Sequence, residues 1–525
     1  MRKTYLILSV FAFLFWSCYD DEGNYDYKDI NELEITNLPA TEQIKFKDSD
    51  TLRVEPVIKG TLSGAAEGDY EYSWTAVLQN GKGEATQAVE IGKEKNLEYF
   101  VELPIGKYYI YLNVTDRATR VTWRRCFDLN VSTATTTGWI VLCDNQGNTR
   151  LDMISRVGTE DRMLRDLLKD FNMPNKKGPE KILFTLNYNN TNNPMDRIIL
   201  VTNTGTCFLD PESLTWDEAF DFKYEMGMIP ETFKPTYVAA ISPRDDSYSR
   251  NILLTTTEVY CRKSAPSYFY ELPRNYVNDE TFKPAPFVIT SAEDYFGQWQ
   301  PPVLLYDMDH KQFVQLDMTW NGTSCRVPAV KNPVFDMVTG KEFVYATNTR
   351  QSDASSFVLL RDDNNKLWLH GFSSLYQNTF KQLANYYYQV DAPGIERAKL
   401  FAVHTRFYFL FYVVDNQLWQ MDMVSKTCRQ IKPVGKNGEN IDFSGEQITF
   451  IKFNPLQYGT YSHTDKDDPY KEIEYRLIVG SDKGGENGGV VRMFNIQERI
   501  ENDVTLYEEY TGFAKPVDIV YRERK

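Results

Sequence analysis

Four histidines, His310, His370, His404 and His463, are the chain's whole supply of imidazole, the group that most often serves as general base or metal ligand. None stands in an HExxH setting, and their spacing suits no metal cluster. His310 falls in a turn and His463 in a polar loop, Ser462 to Asp468, so each is expected to be a packed or surface residue. No GxSxG elbow offers a nucleophilic serine. Carboxylates are plentiful. Asp307 with Asp309, or Asp362 with Asp363, have the spacing to bind calcium together with turn carbonyls. Asp and Asn also favour tight turns because their side chains bond local backbone, and turns are the expectation here. Gly484-Gly485-Glu486-Asn487-Gly488-Gly489 lacks the GxxxxGK[ST] pattern of a phosphate loop and lies between hydrophobic runs, so a hairpin loop is expected. Cys126, Cys143, Cys207, Cys261, Cys325 and Cys428 are far apart, with no CxxC pair. An oxidising compartment permits disulfides among them, but most read as small buried hydrophobes. No catalytic residue, metal or cofactor is expected.

The seventh cysteine is different. Arg2 and Lys3 precede an apolar run from Tyr5 to Trp16 interrupted only by Ser9, and small Ser17 stands before Cys18. A charged start, a short apolar stretch and a small residue before a cut describe a secretory signal over residues 1–17. The run has about a dozen residues, against the ~20 a spanning helix needs. Phe15-Trp16-Ser17-Cys18 resembles a lipobox, with bulky Trp16 departing from the usual small or polar residue. The resemblance implies that the Cys18 thiol takes a diacylglyceryl group and holds the chain to a membrane, which several acyl chains do stably. Residues 18–24 form an acidic tether. The stretch Tyr19 to Tyr27, rich in Asp, Glu and Tyr, resembles the surface-export signal of lipoproteins in the Bacteroidota. That likeness implies the outer face of the outer membrane.

Composition narrows the classes further. Without residues 1–17 the chain keeps 508 residues, enough for two or three units. Its formal charge goes from −15 to −17, so no basic nucleic-acid footprint exists and anchoring falls to the lipid. The 34 Tyr, 31 Phe and 9 Trp suit strands first and sugar-stacking surfaces second.

Two regions carry the strands. In residues 25–133, Tyr70, Tyr72 and Trp74 alternate onto one face, as do Tyr108, Ile110, Leu112 and Val114. Period-two alternation broken by Gly, Asn and Pro predicts a half-buried antiparallel sheet. About 110 residues of it suggest a β-sandwich plugged by Trp74. Tyr72-Ser73-Trp74, and Gly106-x-Tyr108 running to Val114-Thr115-Asp116, resemble two strands of PKD domains, which are immunoglobulin-like. With Cys18-Tyr19-Asp20-Asp21 they resemble the PKD-like lipoproteins of the Bacteroidota. The family implies a spacer or adhesive module without catalytic residues.

From residue 138 to 525 a hydrophobic strand, a polar turn and a second strand recur. Ile140, Ile199, Leu253, Leu304, Val358, Phe409 and Leu477 mark seven such units, at steps of 51 to 68 residues. A step near 50 with strand hairpins predicts a β-propeller of about seven blades. Val517 to Tyr521 lacks a C-terminal partner and is expected to pair with the first unit, removing an exposed edge. Thr133 to Gly138 is the single boundary, and Asp161–Asp170 shows apolar residues at helical spacing.

The expected fold is therefore all-β: an immunoglobulin-like sandwich followed by a propeller. Tyr295, Phe296 and Trp299, and Tyr386, Tyr387 and Tyr388, cluster aromatics with amides in expected inter-blade loops, where binding residues concentrate. They are the candidate ligand-binding residues, for sugar faces or peptides. The resemblance implies a non-enzymatic accessory of the outer-membrane porin and lid-lipoprotein systems that import glycans or other oligomers. The alternatives are a propeller-type glycoside hydrolase or lyase, needing inward carboxylates or a His and Tyr at the central funnel, and a purely structural subunit.

Overall fold

The computed structural model describes residues 31–523 apart from 62–67, 80–86, 158–160, 172, 174–175, 189–193, 211–212, 242–249, 264–268, 292–301, 318–323, 352–354, 377–378 and 457–472. The chain is all-β and divides into two compact units, Met1–Ser132 and Thr133–Lys525. Cys18 lies outside the described residues.

Unit 1 is built on a five-stranded sheet. Tyr70–Leu78 pairs with Gly106–Asp116, which pairs with Thr122–Ser132, all antiparallel; Gln43–Phe46 joins the last of these in parallel. Two small sheets, Leu33–Thr36 with Val57–Gly60 and Thr51–Val54 with Leu97–Phe100, supply further strands. The alternation does what its period requires. Tyr108, Ile110, Leu112 and Val114 are all buried, and the residues between them face out. One apolar cluster forms the core, with Trp74 fully buried in it and Tyr70 and Tyr72 packed at its edge. Trp74 Nε1 donates to Glu94 O at 2.9 Å, so the indole brings no orphan donor into the core.

Unit 2 is a succession of antiparallel meander sheets. Among the described residues seven of them hold three or four strands. Counting Lys515–Arg522 as the first strand of the first sheet and the segment bridged at Ile289 as that of the fourth, the second strands are Gly138–Asn145, Pro194–Thr202, Arg250–Thr255, Val303–Asp307, Ser355–Arg361, Phe409–Val414 and Arg476–Asp482. Each of these carries one of the seven sequence markers. Residues whose burial is described in these strands are almost all buried, because a core presses on both faces.

The cores close a circle. One apolar cluster lies between the first and second sheets, holding Leu142 and Leu200. Others lie between the second and third (Val201 and Leu253), third and fourth (Leu254 and Leu305), fourth and fifth (Leu304 and Leu360), fifth and sixth (Leu359 and Leu410), and sixth and seventh (Phe411 and Val479). A last cluster joins the seventh sheet to the first through Ile478 and Val141. The C-terminal strand Lys515–Arg522 crosses back to pair with Gly138–Asn145, setting Trp139 opposite Tyr521 and Ile140 opposite Val520. Thr137 Oγ1 donates to Arg522 O at 3.0 Å, and the Arg522 guanidinium donates to Thr135 O. An edge strand from one end of the unit is thus covered by a strand from the other. The arrangement is propeller-like.

Two local expectations fail. Asp161–Asp170 is not a helix. Arg162–Leu164 is a short edge strand on Asn148–Ser155, followed by turns. Asp166 sits at φ 49°, its N–H donates to the buried Asp152 carboxylate at 2.7 Å, and Leu167 N donates to Leu151 O. Leu164, Leu167 and Leu168 still reach the core, so the apolar spacing served a bulky turn rather than a helix. Nor are Tyr386, Tyr387 and Tyr388 in a loop. They lie in Thr379–Gln389, the fourth strand of the fifth sheet. Asp307 and Asp362 behave as turn residues. Asp307 Oδ1 accepts from Asp309 N and His310 N, both at 2.9 Å, and Asp362 Oδ1 accepts from Asn364 N and Lys366 N.

Candidate binding site

The first strand or segment of every sheet in unit 2 faces a common cavity of about 580 Å³. The strands are Pro179–Tyr188, Pro235–Ile241, Glu342–Asn348, Leu400–Val403, Gln447–Lys452 and Lys515–Arg522, and the fourth sheet contributes an irregular segment from 286 to 291. That segment is tied to its sheet by paired backbone bonds between Ile289 and Leu304.

Local sequence sets these segments apart. Pro179 and Pro235 each open their strands, where a missing N–H costs nothing because the channel side has no partner strand. Two residues on, after a register shift, stand Lys181 and Tyr237. The same kind of shift precedes Tyr345, between Phe343 and Tyr345, and Phe450, between Ile448 and Phe450. A bulge inserts a residue and re-aims the side chains after it. Apart from Leu400–Val403, the channel strands therefore carry an irregularity that places the extra residue on them and not on the buried second strands.

A band of side chains runs round the channel, one from each sheet. Lys452 Nζ of the seventh sheet lies 2.9 Å from Asp518 Oδ1 of the first and donates to Ile519 O at 2.6 Å. Asp518 Oδ2 accepts from Ile182 N of the second sheet at 3.0 Å. Lys181 Nζ, also of the second sheet, lies 5.2 Å from the centre of the Tyr237 ring of the third. That ring meets Phe287 of the fourth at 5.4 Å, and Tyr345 of the fifth meets Phe401 of the sixth at 5.9 Å. Ser291, Asn348, Thr405, Asn454 and Glu523 also line the channel.

Burial decides how these groups titrate. Desolvation pushes the Tyr237 and Tyr345 phenols up to about 12, so both stay neutral and able to donate. Desolvation lowers the Lys181 ammonium, with Lys452 acting in the same direction and Asp518 opposing both. No histidine belongs to the described channel lining. His370 and His404 are buried within the sheets, where desolvation depresses each to about 3. His310 is raised by its hydrogen bond to Asp307. Among the described residues no group of three His, Cys, Asp or Glu is placed to hold a metal.

The aromatic clusters singled out from sequence do not meet here. Tyr295, Phe296 and Trp299 lie outside the described residues. Tyr386 stacks on Tyr408 at 5.0 Å and stands edge-on to Phe357; Tyr387 packs against Phe335, Trp368 and His370. Tyr388 donates to Met423 O at 3.0 Å under Lys426. None of the three tyrosines lines the channel, and their ring faces are taken up by packing. Lys181, Tyr237, Phe287, Tyr345, Phe401, Lys452 and Asp518 were not foreseen. The signal for two of them was a strand-opening proline two residues upstream.

The PKD-like family model matches residues 18–190, which spans unit 1 and runs on into the opening strands of unit 2. No curated protein is similar to the chain in sequence. Among solved structures, a quinonprotein alcohol dehydrogenase-like protein of Bacteroides thetaiotaomicron is 12% identical, with 93% of this chain and 98% of that one covered and a TM-score of 0.37. The WD40 domain of SCAP from fission yeast is 8% identical over 63% of this chain and 74% of its own, at a TM-score of 0.33. PorZ, a surface component of the type-IX secretion system of Porphyromonas gingivalis, is 12% identical over 78% of this chain and 44% of its own, at 0.30. All three structures are propeller-like, and the N-terminal third of this chain is similar to the PKD-like family.

Proposed function

We propose that the chain is a Bacteroidota surface lipoprotein, held to the outer membrane by lipid on Cys18, in which a PKD-like sandwich carries a seven-bladed β-propeller. The propeller channel binds a glycan or another oligomeric nutrient, as an accessory of a porin and lid-lipoprotein uptake system. The observation that carries this reading is the channel. Its volume falls within the ~300–1,000 Å³ of small-molecule sites, and aromatic rings with a few polar groups line it.

Binding is favoured over turnover by the state of those polar groups. The Tyr237 and Tyr345 phenols are too weakly acidic to serve as bases near neutrality. Asp518 is engaged by Lys452 and by the Ile182 N–H. No described lining residue is a histidine.

Two measurements on the full-length chain test the reading. Metabolic labelling with an alkyne fatty acid should mark the wild-type chain and leave Cys18→Ala unmarked; equal labelling sinks the anchor. The purified chain on a glycan array should give saturable binding that weakens in Tyr345→Ala. Capture of a porin complex without any glycan signal would favour the structural-subunit reading instead.

A further inference from the structure

Resting on the channel as the binding site, we propose that its ligand is acidic: a saccharide bearing a carboxylate or sulfate, received by Lys181 and Tyr237. Two donors stand side by side without partners. Among the described residues Lys181 Nζ makes no hydrogen bond or ion pair, and its close neighbour is the face of the Tyr237 ring. The Tyr237 phenol, whose pKa is shifted by desolvation alone, has no hydrogen bond there either. Both side chains are partly buried and neither donor is sealed from the channel, so water meets them until an anion offers charged acceptors to both.

The surrounding charges leave Lys181 in excess. The charged groups that act on it are Asp518, Lys452 and Glu180. Asp518 is committed to Lys452 and to two backbone N–H groups, of Ile182 and Ile519. Glu180 pairs with Lys234 Nζ at 3.2 Å. Three ammonium groups thus face two carboxylates, and each carboxylate has its own lysine. The uncompensated positive charge is Lys181. Beside it Phe287 extends the Tyr237 ring into an aromatic wall, which suits the flat face of a sugar ring.

The test is calorimetric titration of the full-length chain with oligogalacturonate, a sulfated heparin oligosaccharide and neutral maltoheptaose. Binding of one or both acidic oligomers, salt-sensitive and at least tenfold tighter than the neutral one, is expected. Lys181→Met should weaken acidic binding by about tenfold to a hundredfold, the size of one charge-assisted hydrogen bond. Tyr237→Phe keeps the ring and removes the donor, and should cost less. Unchanged melting temperatures certify that both variants fold. Which acidic oligomer binds separates a uronate from a sulfate ligand. Neutral and acidic oligomers binding alike, or acidic binding indifferent to Lys181→Met, overturns the proposal and leaves the binding reading standing. No binding of any oligomer overturns both.

Discussion

The two units differ in buried charge: both carry exposed ion pairs, but among the described residues the pairs with both side chains buried all lie in unit 2. The ion pairs described in unit 1 keep at least a third of each side chain in water, and among the described residues its core is a single apolar cluster. In unit 2, Arg150–Asp152, Arg492–Glu446 and Arg350–Glu474 are each less than a tenth exposed, and Lys181, Lys452 and Asp518 line the channel. Burying an ion pair stabilises a fold less than apolar packing of the same volume does. Unit 1 therefore rests on apolar packing, with its described ion pairs left in water. Unit 2 keeps polar groups inside, some within its sheets and some lining the channel.

The largest test of that contrast is Trp74→Ala. It removes a fully buried indole from the apolar cluster that forms the described core of unit 1, so about 3–5 kcal/mol should be lost. In scanning calorimetry of the full chain the unit 1 transition should fall while the unit 2 transition and ligand affinity hold. If both transitions fall together, the two units are not energetically separate and the contrast breaks. Glu446→Gln is the counterpart in unit 2. Glu446 lies 2.9 Å from Arg492 Nη1 and accepts from Ser481 Oγ at 2.7 Å. Its loss leaves Arg492 with Glu509 and Ser481, so the cost should sit near the low end, about 3 kcal/mol. Urea unfolding should show the loss in the unit 2 transition alone.

Why the repeated sheets were legible in the sequence and the channel was not follows from how their strands are buried. The seven markers all fall on second strands, which are apolar on both faces and stand out as hydrophobic runs. The channel strands have a core on one side and the cavity on the other. Lys181, Lys452 and Asp518 interrupt their hydrophobicity, and bulges disturb their alternation. Pro284 to Ile289 does not form a regular strand at all. In unit 1 the alternation of Tyr108, Ile110, Leu112 and Val114 was undisturbed and read directly. The aromatic run Tyr386 to Tyr388 misled for a related reason. Three adjacent rings look like a surface patch, yet an outer strand points its side chains to both faces, and each ring here found packing on one of them.

Acid should separate the units by a smaller amount per step. All four histidines lie beyond residue 133, and His370 and His404 are held by desolvation at about 3. A histidine with a folded pKa below its unfolded value near 6.5 is kept neutral by the fold, so the unfolded chain takes up the proton first as pH falls. Its contribution is whole above about pH 6.5 and is lost between about 6.5 and about 3, by roughly 1.4 kcal/mol per histidine per pH unit. Unit 2 should lose stability faster than unit 1 from pH 6 to pH 4. His404 Nδ1 accepts from Arg406 N and Phe407 N, both at 3.0 Å, and His404→Asn keeps an acceptor there while removing the proton site. That variant should flatten the slope by one histidine's share; an unaltered slope would mean His404 takes its proton within the fold.

The smallest expected effect is the sharpest check on apolar packing as what holds unit 1 together. Arg53 and Glu98 form a close pair, with Arg53 Nη2 2.6 Å from Glu98 Oε1, joining the two strands of a small sheet. Both side chains are about two-thirds exposed. Water screens the attraction and both side chains lose freedom in making it, so Arg53→Ala should change unit 1 stability by no more than about 0.5 kcal/mol. The pair should weaken further in salt, since exposed charges are screened within roughly a Debye length. Melting of the full chain in low and high salt, with wild type and variant side by side, reads both effects. A loss above about 2 kcal/mol would show that surface charge, and not the cluster around Trp74, holds the strands Thr51–Val54 and Leu97–Phe100 together.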